Sequence, residues 1–213
     1  MNSHASQSKP QLRVIKLGGS LLSVQETPRR IRGWLESESA LQVTCDLEST
    51  RTIWIVGGGE MVNTVRDWDA KFSLETESLH WLCVDLMDLN ARLLSAWFSQ
   101  WPIWDHQQAF PSQSNQILLT RDWLGQQENS LPKSWATTSD SIAAAFADFV
   151  DADELVLLKS CPAPENLSLD GLATSDYVDD QFVPQVRSFR NRRNIRFVDL
   201  SEDRFDEASL AAP

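Results

Sequence analysis

Cysteine and histidine are scarce in this chain, and its basic residues are outnumbered. The three cysteines, Cys45, Cys83 and Cys161, lie far apart with no Cys-x-x-Cys pair. That argues against a disulfide framework or a zinc site and fits a reducing compartment. The three histidines, His4, His80 and His106, show no metal-ligand spacing, so no metal centre built from side chains is expected. Lys and Arg total 19 against 30 Asp and Glu, a net charge of -11. Nucleic-acid affinity depends on Lys and Arg neutralising phosphates, so that partner class is disfavoured. A phosphorylated small molecule is not, because a local group of backbone N–H donors can overcome a global field. No apolar run approaches the roughly 18–20 residues that cross a bilayer. Met1–Gln11 is polar and lacks an apolar core of signal-peptide length. A soluble, cytoplasmic protein without a membrane partner is expected.

What is present suits one domain with a sizeable core: 213 residues, 42% of them apolar. The expected layout is a loose tail over residues 1–11, one domain over 12–200 and an acidic, fraying tail over 201–213. Short β-branched runs at Arg13–Leu17 and Thr52–Val56 read as buried strands, each ending in glycines. Gln116–Thr120, Glu154–Lys159 and Ile195–Leu200 read as further strands. Helices are expected from Pro28, from Glu60 to about Phe72, over Ser78–Trp101, briefly over Arg121–Leu124, over Ser139–Val150 and within Asp179–Phe189. In the second of these Met61, Val65 and Trp68 form one stripe. On the Ser78–Trp101 helix Leu79, Leu82, Cys83, Leu86, Leu89, Leu93 and Trp97 are expected to share the packed side. Strands alternating with helices predict an α/β layered fold with a largely parallel sheet. The nine tryptophans are read as packing residues.

Three segments carry candidate chemistry. In Val14-Ile-Lys-Leu-Gly-Gly-Ser20, glycines follow a buried strand, so backbone amides can approach an anion. Lys16 lies within that strand, where burial is costly unless the ammonium meets an anion; the alternative is a lysine snorkelling from a sheet edge. In Ile55-Val-Gly-Gly-Gly-Glu-Met61, three glycines weaken both strand and helix, so close approach of a ligand explains them better than packing. A plain connector is the alternative. Both turns would lie at the carboxyl edge of the sheet, where ligands sit in such folds. Neither matches a P-loop or a Rossmann fingerprint. In Trp135-Ala-Thr-Thr-Ser-Asp-Ser141, Asp140 falls in the first turn of a helix, where a carboxylate is favoured. It either caps that helix or orients Lys16 or a magnesium-bound nucleotide.

VIKLGGSLL, IVGGGEMVNTVR and SWATTSDSIAAAFADFVDADELVLL occur in the order seen in the amino acid kinase family, which includes acetylglutamate kinase, aspartokinase and uridylate kinase. The chain is more similar still to the aminomethylfuran phosphate kinases of methanofuran biosynthesis. That closer resemblance rests on the Ser-Trp-x-x-Thr-Ser-Asp-Ser stretch and on Leu79…Cys83…Met87-Asp88-Leu89. It runs from about residue 12 to 160.

The resemblance implies a three-layer α/β/α sandwich with a mainly parallel central sheet, ATP and Mg2+ toward the C-terminal half, and the acceptor toward the N-terminal half. By position Lys16 would steady the transferred phosphoryl group and Asp140 would orient it. Gly18, Gly19, Ser20, Ser139 and Lys159 would face the phosphates or nucleotide, and Gly57, Gly58 and Gly59 the acceptor. An acceptor bearing an ammonium group would want a carboxylate, for which Asp88 or Asp85 is a candidate; the alternative is a solvent-facing acidic pair.

Where the family shows Thr-Asp-x-x-Gly-hydrophobic-Tyr after a strand, this chain reads Lys159-Ser-Cys-Pro-Ala-Pro164. A second family lysine near the C-terminus is not evident; Lys159, Arg187 or Arg190 could replace it, the run Arg190–Arg196 being otherwise a solvated surface. The expected reaction is ATP-dependent phosphorylation of a small phosphorylated acceptor such as (aminomethyl)furanmethyl phosphate. Kinases for a carboxylate or a nucleoside monophosphate, and a non-catalytic nucleotide- or anion-binding member, are the alternatives. Self-association, as in relatives, is expected through the long apolar helix.

Overall fold

A computed structural model describes residues 11–44, 50–106, 115–126 and 131–211. In chain order the elements are β1 (Leu12–Leu17), α1 (Thr27–Thr44), β2 (Arg51–Val56), α2 (Met61–Phe72), α3 (Thr76–Trp97), β3 (Ile103–Trp104) and β4 (Asn115–Leu118). They continue with α4 (Thr120–Gln126), α5 (Ser139–Phe149), β5 (Glu154–Lys159), α6 (Leu169–Ala173), α7 (Phe182–Arg187), β6 (Asn194–Asp199) and β7 (Asp206–Ala211). The expected tail over residues 1–11 lies, apart from Gln11, outside the described residues.

The strands form one sheet in the order β3-β4-β2-β1-β5-β6-β7, parallel except for β7. Every residue of β1 is buried, as a strand covered on both faces requires. Alternation sorts its side chains. Leu12 and Val14 enter one core with Ile53, Ile55, Leu155, Leu157 and the Ala-rich face of α5. Ile15 and Leu17 enter the other with Ile31 and Trp34 of α1 and with Trp54, Val156 and Leu158. Helices therefore cover both faces, giving the expected α/β/α sandwich. The tryptophans largely serve packing: Trp34, Trp54 and Trp123 are fully buried, and Trp101 stacks between Trp54 and Phe98. Among the described residues no helix is long and apolar enough to cross a membrane.

Four expectations are corrected. On α3 the buried side chains are Leu79, His80, Val84, Met87, Asn90, Ala91 and Leu94, whereas Leu82, Leu89 and Leu93 are exposed. The helix is apolar on two sides, and the side carrying Val84, Met87, Ala91 and Leu94 is the one packed in the core. On α2 only Val65 of the expected stripe is buried; Met61 and Trp68 are exposed. The segment from Ser201 does not simply fray, because Asp206–Ala211 pairs antiparallel with β6, and Glu207 accepts the Trp34 Nε1–H at 3.0 Å.

The run Arg190–Arg196 is not all solvated surface. Arg193 is buried, donating to the carbonyls of Ala147 and Ala152 and to Asp148. Arg196 joins Arg13 in a buried ion-pair cluster at the amino ends of the strands. Arg13 contacts Glu154 at 2.6 Å and Glu38 at 3.0 Å, while Arg196 contacts Glu38 at 2.8 Å and Glu207 at 2.5 Å. Removing one member of such a cluster strands buried charge. Arg196→Ala is expected to lower stability by about 3–5 kcal/mol, read from the midpoint of urea unfolding at unchanged slope.

Candidate active site

The parallel register sets Leu17 beside Val56 and Leu158. The turns after β1, β2 and β5 therefore leave the sheet at one edge. Gly18 N–H donates to Leu158 O at 2.8 Å and Gly57 N–H to Leu17 O at 2.9 Å, tying the three strand ends together. The two glycine turns then touch. A Cβ on Gly19 would lie 2.2 Å from Gly59 N, and one on Gly57 would lie 2.7 Å from Gly19 N. No side chain fits there. Gly59 also has φ +66, a left-handed conformation that glycine adopts without strain. Asn90, buried on α3, donates to Gly57 O at 2.8 Å and fixes the second turn.

Helix α5 begins against this contact. Ser139 Oγ would lie 3.0 Å from a Cβ on Gly57, so the positive end of the helix faces the turns. Asp179, from the connection before α7, accepts Thr138 N–H at 3.1 Å, Thr138 Oγ1–H at 2.7 Å and Ser141 N–H at 2.9 Å. Asp140, in the first helical turn, is only 5% exposed and points back to the sheet. Its Oδ1 lies 2.8 Å from Lys16 Nζ and its Oδ2 accepts from Lys159 Nζ at 2.8 Å. One carboxylate thus holds two ammonium groups together at the glycine turns.

The titration of the trio follows from its burial. Burial opposes ionisation of Asp140, but the two lysines outweigh it and hold the carboxyl at about 2. Burial also pushes the Lys16 ammonium below its ordinary value, although Asp140 pulls the other way. Asp179 is raised by burial and by Asp140. Tyr177 places its ring 4.9 Å from Lys159 Nζ. Ser20 and Ser160 meet through their hydroxyls at 2.7 Å, joining the first glycine turn to the segment after β5.

Beside the turns lies a cavity of about 310 Å³ between α2, α3 and the segment leading to α5. Gly19, Ser20, Gly58, Gly59 and Ser139 line it, and Val62, Val84, Met87 and Ile142 give it an apolar side. Of the expected site residues, Lys16, Gly18, Gly19, Ser20, Gly57, Gly58, Gly59, Ser139, Asp140 and Lys159 are brought together at this edge. Asp88 is not. It accepts Thr120 N–H at 2.6 Å and Arg121 N–H at 3.3 Å at the start of α4, and burial there raises it to about 6. Asp85 pairs with Arg121 at 3.0 Å. Both face α4, because their positions on α3 turn them from the cavity. Of the three cations weighed for the missing lysine, Lys159 reaches Asp140, while Arg187 pairs with Asp170 and Arg190 with Asp148.

Sequence reading missed Asn90, Tyr177 and Asp179. A polar residue inside an apolar helix was the available signal for Asn90. Nothing local marks the other two.

No protein-family model matches the sequence, and neither does any curated protein. The fold has solved counterparts. A uridylate kinase from Archaeoglobus fulgidus superposes with a TM-score of 0.54 at 16% identity, over 86% of this chain and 89% of that one. A UMP kinase from Ureaplasma parvum gives 0.63 at 10% identity, over 95% and 99%. An aspartate kinase from Synechocystis gives 0.64 at 12% identity over 95% of this chain, which spans only 40% of that enzyme. The chain has the fold of the amino acid kinases.

The Asp140 carboxyl has a folded pKa below its ordinary 3.8. Its contribution to stability is therefore complete above pH about 4 and is lost as pH falls toward about 2. Asp140→Asn is expected to be less stable at neutral pH by about 3–5 kcal/mol. Its unfolding free energy should also fall less steeply with acid below pH about 4, followed by circular dichroism in urea.

Proposed function

We propose that this chain is a phosphotransferase of the amino acid kinase type, moving the terminal phosphoryl group of ATP to a small acceptor bound in the cavity. The observation that carries this reading is the buried Lys16–Asp140–Lys159 trio lying under two touching glycine turns. Phosphoryl transfer asks the protein for alignment and charge stabilisation more than for covalent chemistry. The trio and the turns supply both. Lys16 and Lys159, held in place by Asp140, offer ammonium groups to the anion in transit. The amides of Gly19, Gly58 and Gly59, in turns packed too closely for side chains, are the backbone donors offered to a phosphate, while the Gly18 amide is held by Leu158 O.

Magnesium would lower the charge of the ATP phosphates and would be bound largely through them. Among the described residues no group of three or more His, Cys, Asp or Glu is placed to hold a metal. Ser20 and Ser160, at the outer side of the first turn, would meet the donor.

The acceptor is read as a phosphate monoester, with (aminomethyl)furanmethyl phosphate as the candidate. What supports it is the convergence of the two segments that carry the closer resemblance. Cys83 and Met87 from one, and Ser134, Trp135, Thr138 and Ser139 from the other, line the same cavity. A monoester needs no general base, since its oxygen is already anionic. Among the described residues the one histidine lining the cavity, His80, is pushed below its ordinary pKa by burial. A nucleoside monophosphate is the second reading, favoured by the fold shared with the uridylate kinases. A cytoplasmic location belongs with this proposal.

Incubation with Mg-ATP and each acceptor should release ADP fastest with the aminomethylfuran ester; absence of ADP with every phosphate and carboxylate acceptor would defeat the proposal. Lys16→Ala and Lys159→Ala should each lower kcat by about 100- to 1,000-fold, measured where circular dichroism shows each variant folded.

Self-association is part of the same reading. It is supported by Leu82, Leu86, Leu89 and Leu93 on α3, spaced four, three and four residues apart along one side, with Leu89 51% exposed. Light scattering should give a dimer or larger for the natural chain and a monomer for Leu89→Glu; a monomeric natural chain would contradict it.

A further inference from the structure

The cavity carries three titratable side chains whose charges matter, Glu60, Arg66 and His80. Two of them are occupied. His80 packs edge-on against Trp81, and burial keeps its imidazole pKa low, so it stays neutral at pH 7. Arg66 donates to Asn63 Oδ1 at 3.2 Å and lies 5.1 Å over the Trp135 ring. That ring is itself fixed by its Nε1–H donating to Asp69 at 2.9 Å. Arg66 is thus part of the wall.

Glu60 differs from both. It directly follows Gly59 and occupies the cap position of α2, yet its side chain caps nothing. It is exposed and lines the cavity, and among the described residues its carboxylate has neither a hydrogen bond nor an ion pair. An unneutralised carboxylate next to an anion cradle repels an approaching phosphate ester, unless the ester brings a cation of its own. The carboxylates of α3 do not share this position, since Asp85 and Asp88 are engaged at α4. The same lining has an apolar part, from Val62, Val84, Met87 and Ile142.

Resting on the phosphotransferase reading, we infer that Glu60 selects the acceptor: it binds an ammonium group on a small phosphate ester with a flat or apolar body. The ester's phosphate faces the glycine turns, its body lies on the apolar side, and its amine pairs with Glu60 Oε atoms. A neutral analogue leaves the carboxylate unpaired, and an acceptor carrying only negative charge is repelled. Glu60 binds substrate and takes no part in the transfer itself, so its effect falls on KM more than on kcat.

The test compares (aminomethyl)furanmethyl phosphate with furanmethyl phosphate lacking the amine, on the natural chain and on Glu60→Gln. ADP release gives kcat and KM, and titration calorimetry gives affinity for each ester without turnover. The natural chain should favour the amine-bearing ester by about tenfold or more in kcat/KM and in affinity. Glu60→Gln should raise KM for that ester about tenfold, move kcat far less, and erase the preference. Equal handling of the two esters by the natural chain, or a preference that survives Glu60→Gln, overturns the role of Glu60 while ADP release keeps the phosphotransferase reading. A Glu60-dependent affinity difference without any ADP release has the opposite meaning: it supports Glu60 as the amine site and removes the phosphotransfer.

Discussion

A single carboxylate, Asp140, holds two lysines at the carboxyl edge of the sheet, and the arrangement of that edge depends on it. Lys16 comes from β1 and Lys159 from β5, strands that are neighbours in register, so their ammonium groups are brought together with like charge. Two buried cations side by side are unstable without an anion. Asp140, delivered by the first turn of α5, supplies one negative charge for two positive. Asp179, capping α5 alongside, also acts on Lys16 with its carboxylate. What the edge offers an anion is two ammonium groups held in place beside the glycine turns.

The amino ends of the same strands make a useful contrast. Arg13 and Arg196 face Glu38, Glu154 and Glu207 in a cluster where each guanidinium meets two or more carboxylates. Trp34 donates into it as well. That cluster sets three carboxylates against two guanidinium groups, and no glycine approaches it. The carboxyl edge has glycines in contact and a cavity alongside. Both clusters are ionic groups in one sheet, but only the second has room beside it for a ligand. Stability is concentrated at one end and recognition at the other.

Much of this was legible in the sequence because it is local. Buried strands ending in glycines, and a helix opening with Ser139 and Asp140, need only a few adjacent residues to be recognised, and these are the parts that form the centre. The face of α3 was not legible. Leu82, Leu89 and Leu93 on one side and Val84, Met87, Ala91 and Leu94 on the other both repeat at helical spacing, and periodicity cannot choose between two apolar sides. Only packing against the sheet chooses between them. The last strand was hidden by its acidic composition; what recruits it is Arg196 and Trp34, distant in sequence. Tyr177 and Asp179 come to the site by the same kind of long-range placement. Asp88 was chosen for its charge and its motif, and the turn of α3 assigns it to α4 instead.

The central claim is that Lys16, Lys159 and the glycine amides act on one anion in transit. A crystal structure with a non-hydrolysable ATP analogue and magnesium tests it most directly. The account predicts the terminal phosphate within about 3 Å of Lys16 Nζ and of the Gly19 amide, with Lys159 on the same group. An analogue bound elsewhere, with the Lys16–Asp140–Lys159 contacts undisturbed and no phosphate at the glycine turns, would contradict it.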